Sequence, residues 1–223
     1  MNVVSFMFDA PRTLRSCSRS APAPQGSRVS WTPRHWVVAG EADRIALLDL
    51  ETLEVDVEIA SPRGEYVTAM DLSPDGHRIA VSTRGGWLGI FDLESRELAA
   101  SWKAHDNVGF RVAYLDMDRI ASAGGDGRDR VWSESGDLQT SSESFRYAIV
   151  FVAETESTNR LFIGPMFGIP LVLDARSGKT LLELSGMDPN AILTRAVRLS
   201  GDRFVTADST GALRLWTADV QER

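Results

Sequence analysis

The sequence has one cysteine, Cys17, and only three histidines among its 223 residues. A single cysteine can form no internal disulfide, so nothing indicates an oxidising compartment. No apolar run approaches the ~18–20 residues that a membrane-spanning helix needs. No His-x-x-x-His, Cys-x-x-Cys or spaced carboxylate cluster indicates a metal site. We therefore expect a cytoplasmic protein that uses no metal or other cofactor and does not enter a membrane.

Basic residues are scarce in most of the chain. Residues 1–35 contain five arginines against one acidic residue, but the remainder holds 19 basic and 30 acidic residues, and the net charge is −7. An acidic protein body repels the phosphate backbone of nucleic acids. We therefore expect no nucleic-acid partner.

One short pattern, an apolar strand closed by an acidic or hydroxyl residue, occurs five times. The closing residues are 43, 41, 41 and 43 positions apart, and they are Asp49, Asp92, Ser133, Asp174 and Thr217. A near-constant period of ~40–45 residues is the length of one four-stranded propeller blade. The sequence therefore predicts an all-β propeller of about five four-stranded antiparallel blades over residues 28–223.

The clearest repeat lies between residues 65 and 102. Four strand-like runs at 66–72, 78–82, 88–92 and 97–102 are separated by turn residues. The first turn is Ser-Pro-Asp-Gly at 73–76, in which proline presets φ, aspartate can bond the nearby backbone, and glycine tolerates a positive φ. The other repeats follow the same order of strands and turns.

The last repeat stops after its third strand. An isolated strand-like run at 3–8 is suited to supply the missing fourth strand, which would cover an open sheet edge. We therefore predict that residues 1–27 contain this closing strand, at about 3–8, and an Arg/Ser/Pro-rich linker. A closed ring of five blades is favoured, with a larger ring completed by other blades as the alternative.

Several residues resemble the WD40 repeat family. In the third repeat, Ala104-His105 stands at the Gly-His position of that family and is followed by Ser122, Asp126 and Trp132. The fifth repeat keeps Thr206 and Trp216 at matching positions. The resemblance implies a buried chain of hydrogen bonds within a blade, which stiffens the sheet if every member is satisfied. We assign a structural role and no catalytic one to His105, Ser122, Asp126, Trp132, Thr206 and Trp216. A blade-internal Ser-His-Asp set lacks an exposed nucleophile and oxyanion donors.

The same resemblance implies a non-catalytic platform that docks a protein or peptide on the face where the first strand of each blade begins. Arginine and aromatic side chains dominate interface energies, and arginines on one face favour an acidic or phosphorylated peptide. The residues expected on this partner-binding face are Tyr66, Thr68, Arg84, Phe110, Arg111, Tyr147 and Arg195.

Two other functions remain open at this point. The chain could be a small propeller hydrolase or lyase with a site in the central channel, which requires polar groups from several blades. It could also be a truncated repeat protein that a partner, or self-association, completes. The sequence does not identify the partner or decide between a monomer and a completed assembly.

Overall fold

The computed structural model describes residues 29–31, 35–39, 44–49, 55–154, 159–200 and 202–217. These residues form nineteen β-strands and one short 3-10 turn, Pro62–Gly64. The strands are β1 (Val29–Trp31), β2 (His35–Ala39), β3 (Arg44–Asp49), β4 (Val55–Ala60), β5 (Val67–Leu72), β6 (Arg78–Thr83), β7 (Trp87–Asp92), β8 (Leu98–Lys103), β9 (Gly109–Tyr114), β10 (Arg119–Gly124), β11 (Asp129–Ser133), β12 (Leu138–Ser141), β13 (Ile149–Glu154), β14 (Arg160–Pro165), β15 (Leu171–Asp174), β16 (Thr180–Glu183), β17 (Leu193–Arg198), β18 (Arg203–Asp208) and β19 (Leu213–Thr217).

The strands form five antiparallel sheets in chain order. Four sheets contain four consecutive strands each, from β1–β4 to β13–β16, and the fifth contains β17–β19. The all-β prediction is therefore confirmed, and the described chain contains five antiparallel sheets, of which the fifth has three strands. The predicted closing strand at 3–8 lies outside the described residues. No described helix is long and apolar enough to cross a membrane.

The turn between β5 and β6 shows how local sequence sets the meander. The Ser73 hydroxyl oxygen accepts a hydrogen bond from the Arg78 amide at 2.9 Å, and the Asp75 carboxylate accepts one from the His77 amide at 3.0 Å. Gly76 has a φ of 74°, a conformation that glycine adopts without steric cost. These side chains satisfy backbone groups that the tight reversal of the chain leaves without strand partners.

Buried side chains fill the space between consecutive sheets. Ile45 and Ile59 of the first sheet pack against Met70, Ile79 and Phe91 of the second. Similar apolar clusters join the second sheet to the third, the third to the fourth and the fourth to the fifth. The first strands of successive sheets also lie next to one another. This is a propeller-like arrangement, in which each sheet is stabilised by burial against its neighbours.

Candidate functional site

The third sheet contains a hydrogen-bonded chain of four side chains. The Trp132 indole N–H donates to the Ser122 hydroxyl oxygen at 2.9 Å, and Ser122 Oγ lies 2.8 Å from His105 Nε2. On the other side of the ring, His105 Nδ1 lies 3.0 Å from Asp126 Oδ1. His105 and Ser122 are almost completely buried. The structure thus joins the four residues that the sequence motif identified in this repeat.

Burial and hydrogen bonds shift the pKa values of His105 and Asp126 in this group of four side chains. Burial lowers the pKa of His105, which favours a neutral ring, and its Nδ1 lies against both Asp126 Oδ1 at 3.0 Å and Arg130 Nη1 at 2.7 Å. Burial raises the pKa of Asp126, but hydrogen bonds from His105 and Arg130 outweigh it and the net pKa is lowered. The Ser122 hydroxyl is inaccessible and has both neighbours as partners, so it cannot act as a nucleophile.

Two residues of this site were missed by the sequence reasoning. Arg130 donates from Nη1 to Asp126 Oδ2 at 2.8 Å and adds a cation to the chain. Gly124 provides the space for the imidazole, since a Cβ at this position would lie 2.2 Å from His105 Nδ1. The pairing of β10 with β11 places Arg130 opposite Ser122. The position of Arg130 beside the four side chains could have been predicted from this register.

The fifth sheet uses a different set of partners at equivalent positions. The Trp216 indole N–H donates to the Thr206 hydroxyl at 2.7 Å. Asp208 stands where the third sheet has Gly124, and its buried carboxylate forms an ion pair with Arg214. Thr210 and Arg214 both donate to Asp208, and the Thr210 hydroxyl contributes most to lowering its pKa to about 2. The carboxylate therefore takes the space that His105 occupies in the third sheet.

The first strands of four sheets carry a β-bulge at the same place. In the second, fourth and fifth sheets, the register with the second strand shifts between residues 67 and 69, 149 and 151, and 193 and 195, respectively. In the third sheet, the shift lies opposite the step from Ala123 to Gly124. The residues left without a cross-strand partner are Thr68, Phe110, Val150 and Thr194. Bulges redirect side chains and are frequent beside binding sites. We call the surface around these four residues the bulge face.

A cavity of about 230 Å³ opens on the bulge face between the third, fourth and fifth sheets. Its lining combines two arginines with apolar side chains, and consists of Phe110, Arg111, Val150, Phe151, Leu193, Thr194, Arg195 and Ala196. The structure therefore brings together three of the predicted partner-binding residues, Phe110, Arg111 and Arg195.

Arg111 is held in an unusual setting within this cavity. Its guanidinium lies 5.4 Å from the centre of the Phe151 ring, and its buried Nε has no hydrogen-bond partner. Burial lowers the pKa of Arg111, the Asp71 carboxylate opposes this shift, and the positive charge of Arg195 adds to it. The guanidinium remains charged, so the cavity holds two neighbouring cations and an unused donor.

The other predicted face residues lie outside the cavity lining. Tyr66 and Arg84 are exposed at the same end of the second sheet, and the Tyr66 carbonyl accepts a hydrogen bond from the Arg84 amide. Tyr147 is 38% exposed, with its ring centre 5.2 Å from that of Phe167. The Thr68 hydroxyl lies within hydrogen-bond distance of two carbonyl oxygens, that of Ser82 at 3.0 Å and that of Gly109. Thr68 therefore links the second and third sheets.

No group of three histidine, cysteine, aspartate or glutamate side chains in the described chain is placed to hold a metal ion. The cavity lining contains no carboxylate, histidine or cysteine, and the Thr194 hydroxyl already donates to the Ala207 carbonyl at 3.0 Å. The arrangement can bind an anionic or aromatic group but offers no general acid or base.

Comparison with known proteins finds similarity to proteins that contain WD repeats. No family model matches the sequence. The chain is 23% identical over 159 residues to the DENN domain and WD repeat-containing protein SCD1 of Arabidopsis thaliana, covering 71% of this chain and 13% of that protein. It is 27% identical over 116 residues to the WD repeat-containing protein 91 of Danio rerio, covering 51% of this chain and 16% of that protein. The chain spans less than a fifth of the length of these relatives.

A solved structure shows the likeness in fold. The crystal structure of the computationally designed Ika8 protein matches with a TM-score of 0.72 at 18% identity, over 85% of this chain and 57% of that one. WD repeat relatives suggest a protein-interaction scaffold as the general kind of function. The chain thus resembles WD repeat proteins in sequence and shares its all-β repeat fold with a solved structure.

Proposed function

We propose that the chain is a non-catalytic scaffold that docks a partner protein on the bulge face, and that the partner inserts an acidic or phosphorylated side chain between Arg111 and Arg195. The observation that carries the proposal is the cavity with two neighbouring arginines, one of which has a buried donor without a partner. An anion placed there would supply that partner and relieve the repulsion between the two cations.

The chemistry of arginine supports this assignment. A guanidinium presents a planar fork of donors that matches a carboxylate or phosphate, and charge-assisted hydrogen bonds of this kind are stronger than neutral ones. Within the described part of the chain, Asp71 is the acidic group that acts on Arg111, and its own pKa is raised by burial, an effect that the Tyr114 amide and Arg111 oppose. One carboxylate leaves the pair of arginines with a net positive charge.

The apolar part of the cavity supports a peptide rather than a free ion. Phe110, Val150 and Phe151 provide a surface on which an apolar or aromatic neighbour of the acidic residue can pack. Exposed Tyr66 and Tyr147 lie at the same end of their sheets as the cavity. Tyrosine at such a position supplies contact area at a low cost in conformational entropy.

A displayed library of random peptides selected on the immobilised full chain tests the proposal. We expect enriched peptides to contain glutamate, aspartate or, in a phosphorylated library, phosphoserine. Their binding, followed by fluorescence anisotropy, should weaken more than tenfold in Arg195→Glu, because a charge reversal turns attraction into repulsion. Arg176→Glu is the matched control, since Arg176 is an exposed arginine at the opposite end of the fourth sheet. Enriched peptides without acidic groups, or equal loss in both variants, would contradict the proposal.

A further inference from the structure

The second sheet carries a group of cationic side chains around Trp87. The Arg63 guanidinium carbon lies 4.4 Å from the centre of the Trp87 ring, and Lys103 Nζ lies 6.0 Å from it. Lys103 also donates to the carbonyl of Gly85, in the turn that contains Arg84. The three cationic side chains are exposed, whereas Trp87 is half-buried. We call the surface formed by these three cations and the indole the Trp87 surface.

Arg63 is held in a backbone conformation that costs an arginine free energy. Its φ is 60°, in the left-handed region that residues with a Cβ rarely adopt. The turn around it is fixed, because the Gly64 amide donates to the Ser61 carbonyl at 3.1 Å and the Glu65 amide donates to the Pro62 carbonyl at 3.3 Å. Strained non-glycine conformations cluster at ligand-binding positions. The strain therefore points to a use for the side chain that this turn places over the indole.

The donors of the Arg63 guanidinium are unused within the described chain. Among the described residues it has no hydrogen bond and no ion pair, and its contact is with the Trp87 ring. Arg119, by contrast, donates to the Asp116 carboxylate at 2.7 Å. A guanidinium that lies over an aromatic ring keeps the N–H groups at its edge available, and their planar arrangement matches a carboxylate. Arg63 is thus a preorganised donor for an acidic group.

The acidic residues close to the Trp87 surface do not neutralise it. The Glu65 carboxylate accepts hydrogen bonds from the Thr83 hydroxyl and the Gly85 amide, both at 2.7 Å, so this carboxylate serves the turn. Asp106 is exposed in the loop that follows β8. Three cations and two carboxylates leave this neighbourhood positively charged in a protein whose net charge is −7. Such a local field attracts an acidic group.

We propose that the Trp87 surface binds an acidic segment of a partner protein, with one carboxylate on the Arg63 guanidinium and another beside Lys103. Charge complementarity between the segment and the unused donors identifies this occupant. Tyr66, which is 56% exposed at the same end of the sheet, and the Trp87 indole supply contact area for its other side chains. The surface belongs to the second sheet and lies outside the cavity lining. It gives the proposed docking function a second contact, but it does not require the cavity to be occupied.

Fluorescence anisotropy of a labelled oligoglutamate peptide, titrated with the full chain, tests the inference. We expect saturable binding that weakens as salt is raised, because exposed charges are screened. Arg63→Gly should weaken binding about tenfold through the loss of charge-assisted hydrogen bonds. It should leave the melting temperature unchanged or higher, because glycine adopts a φ of 60° without strain.

Arg96→Gly is the matched control. Arg96 is also an exposed arginine with a positive φ, 65°, and it lies in the turn between β7 and β8 at the opposite end of the same sheet. This variant should bind oligoglutamate as the wild type does. No binding by the wild type, or equal weakening in Arg63→Gly and Arg96→Gly, would overturn the inference.

Arg195→Gln separates this surface from the cavity. Binding that Arg63→Gly weakens and Arg195→Gln does not would support the Trp87 surface without the cavity. Binding that only Arg195→Gln weakens would place the acidic group in the cavity, which overturns this inference and leaves the proposed docking intact.

A second variant covers a structural role of Arg63. If Arg63→Gly lowers the melting temperature, Lys103→Gln becomes the deciding variant, since Lys103 is the last residue of the edge strand β8. Weaker binding in Lys103→Gln would then support the inference, and normal binding would overturn it. Phosphatidylserine vesicles serve as a parallel probe, and capture of vesicles without binding of oligoglutamate would assign the surface to a membrane and overturn the inference.

Discussion

The indole nitrogen of Trp132 donates to the Ser122 hydroxyl at 2.9 Å, and the Trp216 indole makes the same bond to Thr206 at 2.7 Å. In both cases the tryptophan and the hydroxyl residue lie on neighbouring strands, near the sheet that precedes their own. The third and fifth sheets therefore use one device to connect the second strand to the third. Only the third sheet extends it to a histidine and an aspartate.

Replacement of Trp132 should be strongly destabilising. Trp132→Ala removes a buried ring, which lies 5.8 Å from the Trp102 ring centre, and leaves a cavity between the second and third sheets. We expect a loss of ~3–5 kcal/mol in the free energy of unfolding, measured by urea titration. A loss below ~1 kcal/mol would show that the indole is not a packed anchor of this sheet.

Stability should depend on pH through His105. Its pKa is lowered from 6.5 by burial in the folded state, so the unfolded chain binds more protons once the pH falls below 6.5. The contribution of His105 to the free energy of unfolding should therefore be fully present above pH 6.5 and decrease as the pH falls toward the folded-state pKa. His105→Asn, which cannot take up this proton, should show a flatter profile over that interval in urea titrations. Parallel profiles for the two proteins would contradict the assigned neutral ring.

Replacement of Asp129 should stabilise the protein at neutral pH. Its side chain is buried, one carboxylate oxygen has no hydrogen-bond partner, and burial raises its pKa well above 3.8. The folded state thus binds more protons than the unfolded state, and this contribution to stability is lost as pH rises above 3.8. Asp129→Asn should melt higher than the wild type at pH 7 and similarly near pH 3.8. Asp118→Asn, at an exposed position, should show no such gain.

Deletion of residues 2–8 tests the predicted closing strand. Among the described residues, β19 is the last strand of a three-stranded sheet. If the run at 3–8 pairs beside it, the deletion uncovers backbone donors and acceptors along a sheet edge. We expect a lower melting temperature and a tendency to aggregate, followed by calorimetry and light scattering. An unchanged melt and mass would exclude this pairing.

The strands could be predicted from the sequence because each repeat carries strong local signals. The turn at Ser73–Gly76 fixes the reversal through its own side chains, so β5 and β6 lie within one residue of the predicted runs. His105, Ser122 and Trp132 were identified since they stand at fixed positions within one repeat. Their spacing depends on the lengths of strands and turns, which the sequence displays directly.

The cavity could not be predicted to the same extent, because it depends on the register between strands. Bulges in β13 and β17 move Val150 and Thr194, respectively, out of the cross-strand pairing. No residue type in these strands predicts a bulge. Arg214 pairs with Asp208 and also donates to the Gly186 carbonyl at 3.0 Å, so its position depends on a loop that is distant in sequence. Side-chain contacts between sheets are decided by packing, and a repeat pattern in one chain does not display them.

A double-mutant cycle between Arg195 and a bound peptide tests the proposed docking most directly. The affinities of wild type and Arg195→Gln are measured for a selected acidic peptide and for its glutamate-to-glutamine form. If the acidic group lies against Arg195, the two changes should be coupled by ~1 kcal/mol or more, as close charge pairs at interfaces are. Additive changes, with coupling near zero, would show that the acidic group does not lie against Arg195 and would contradict the account.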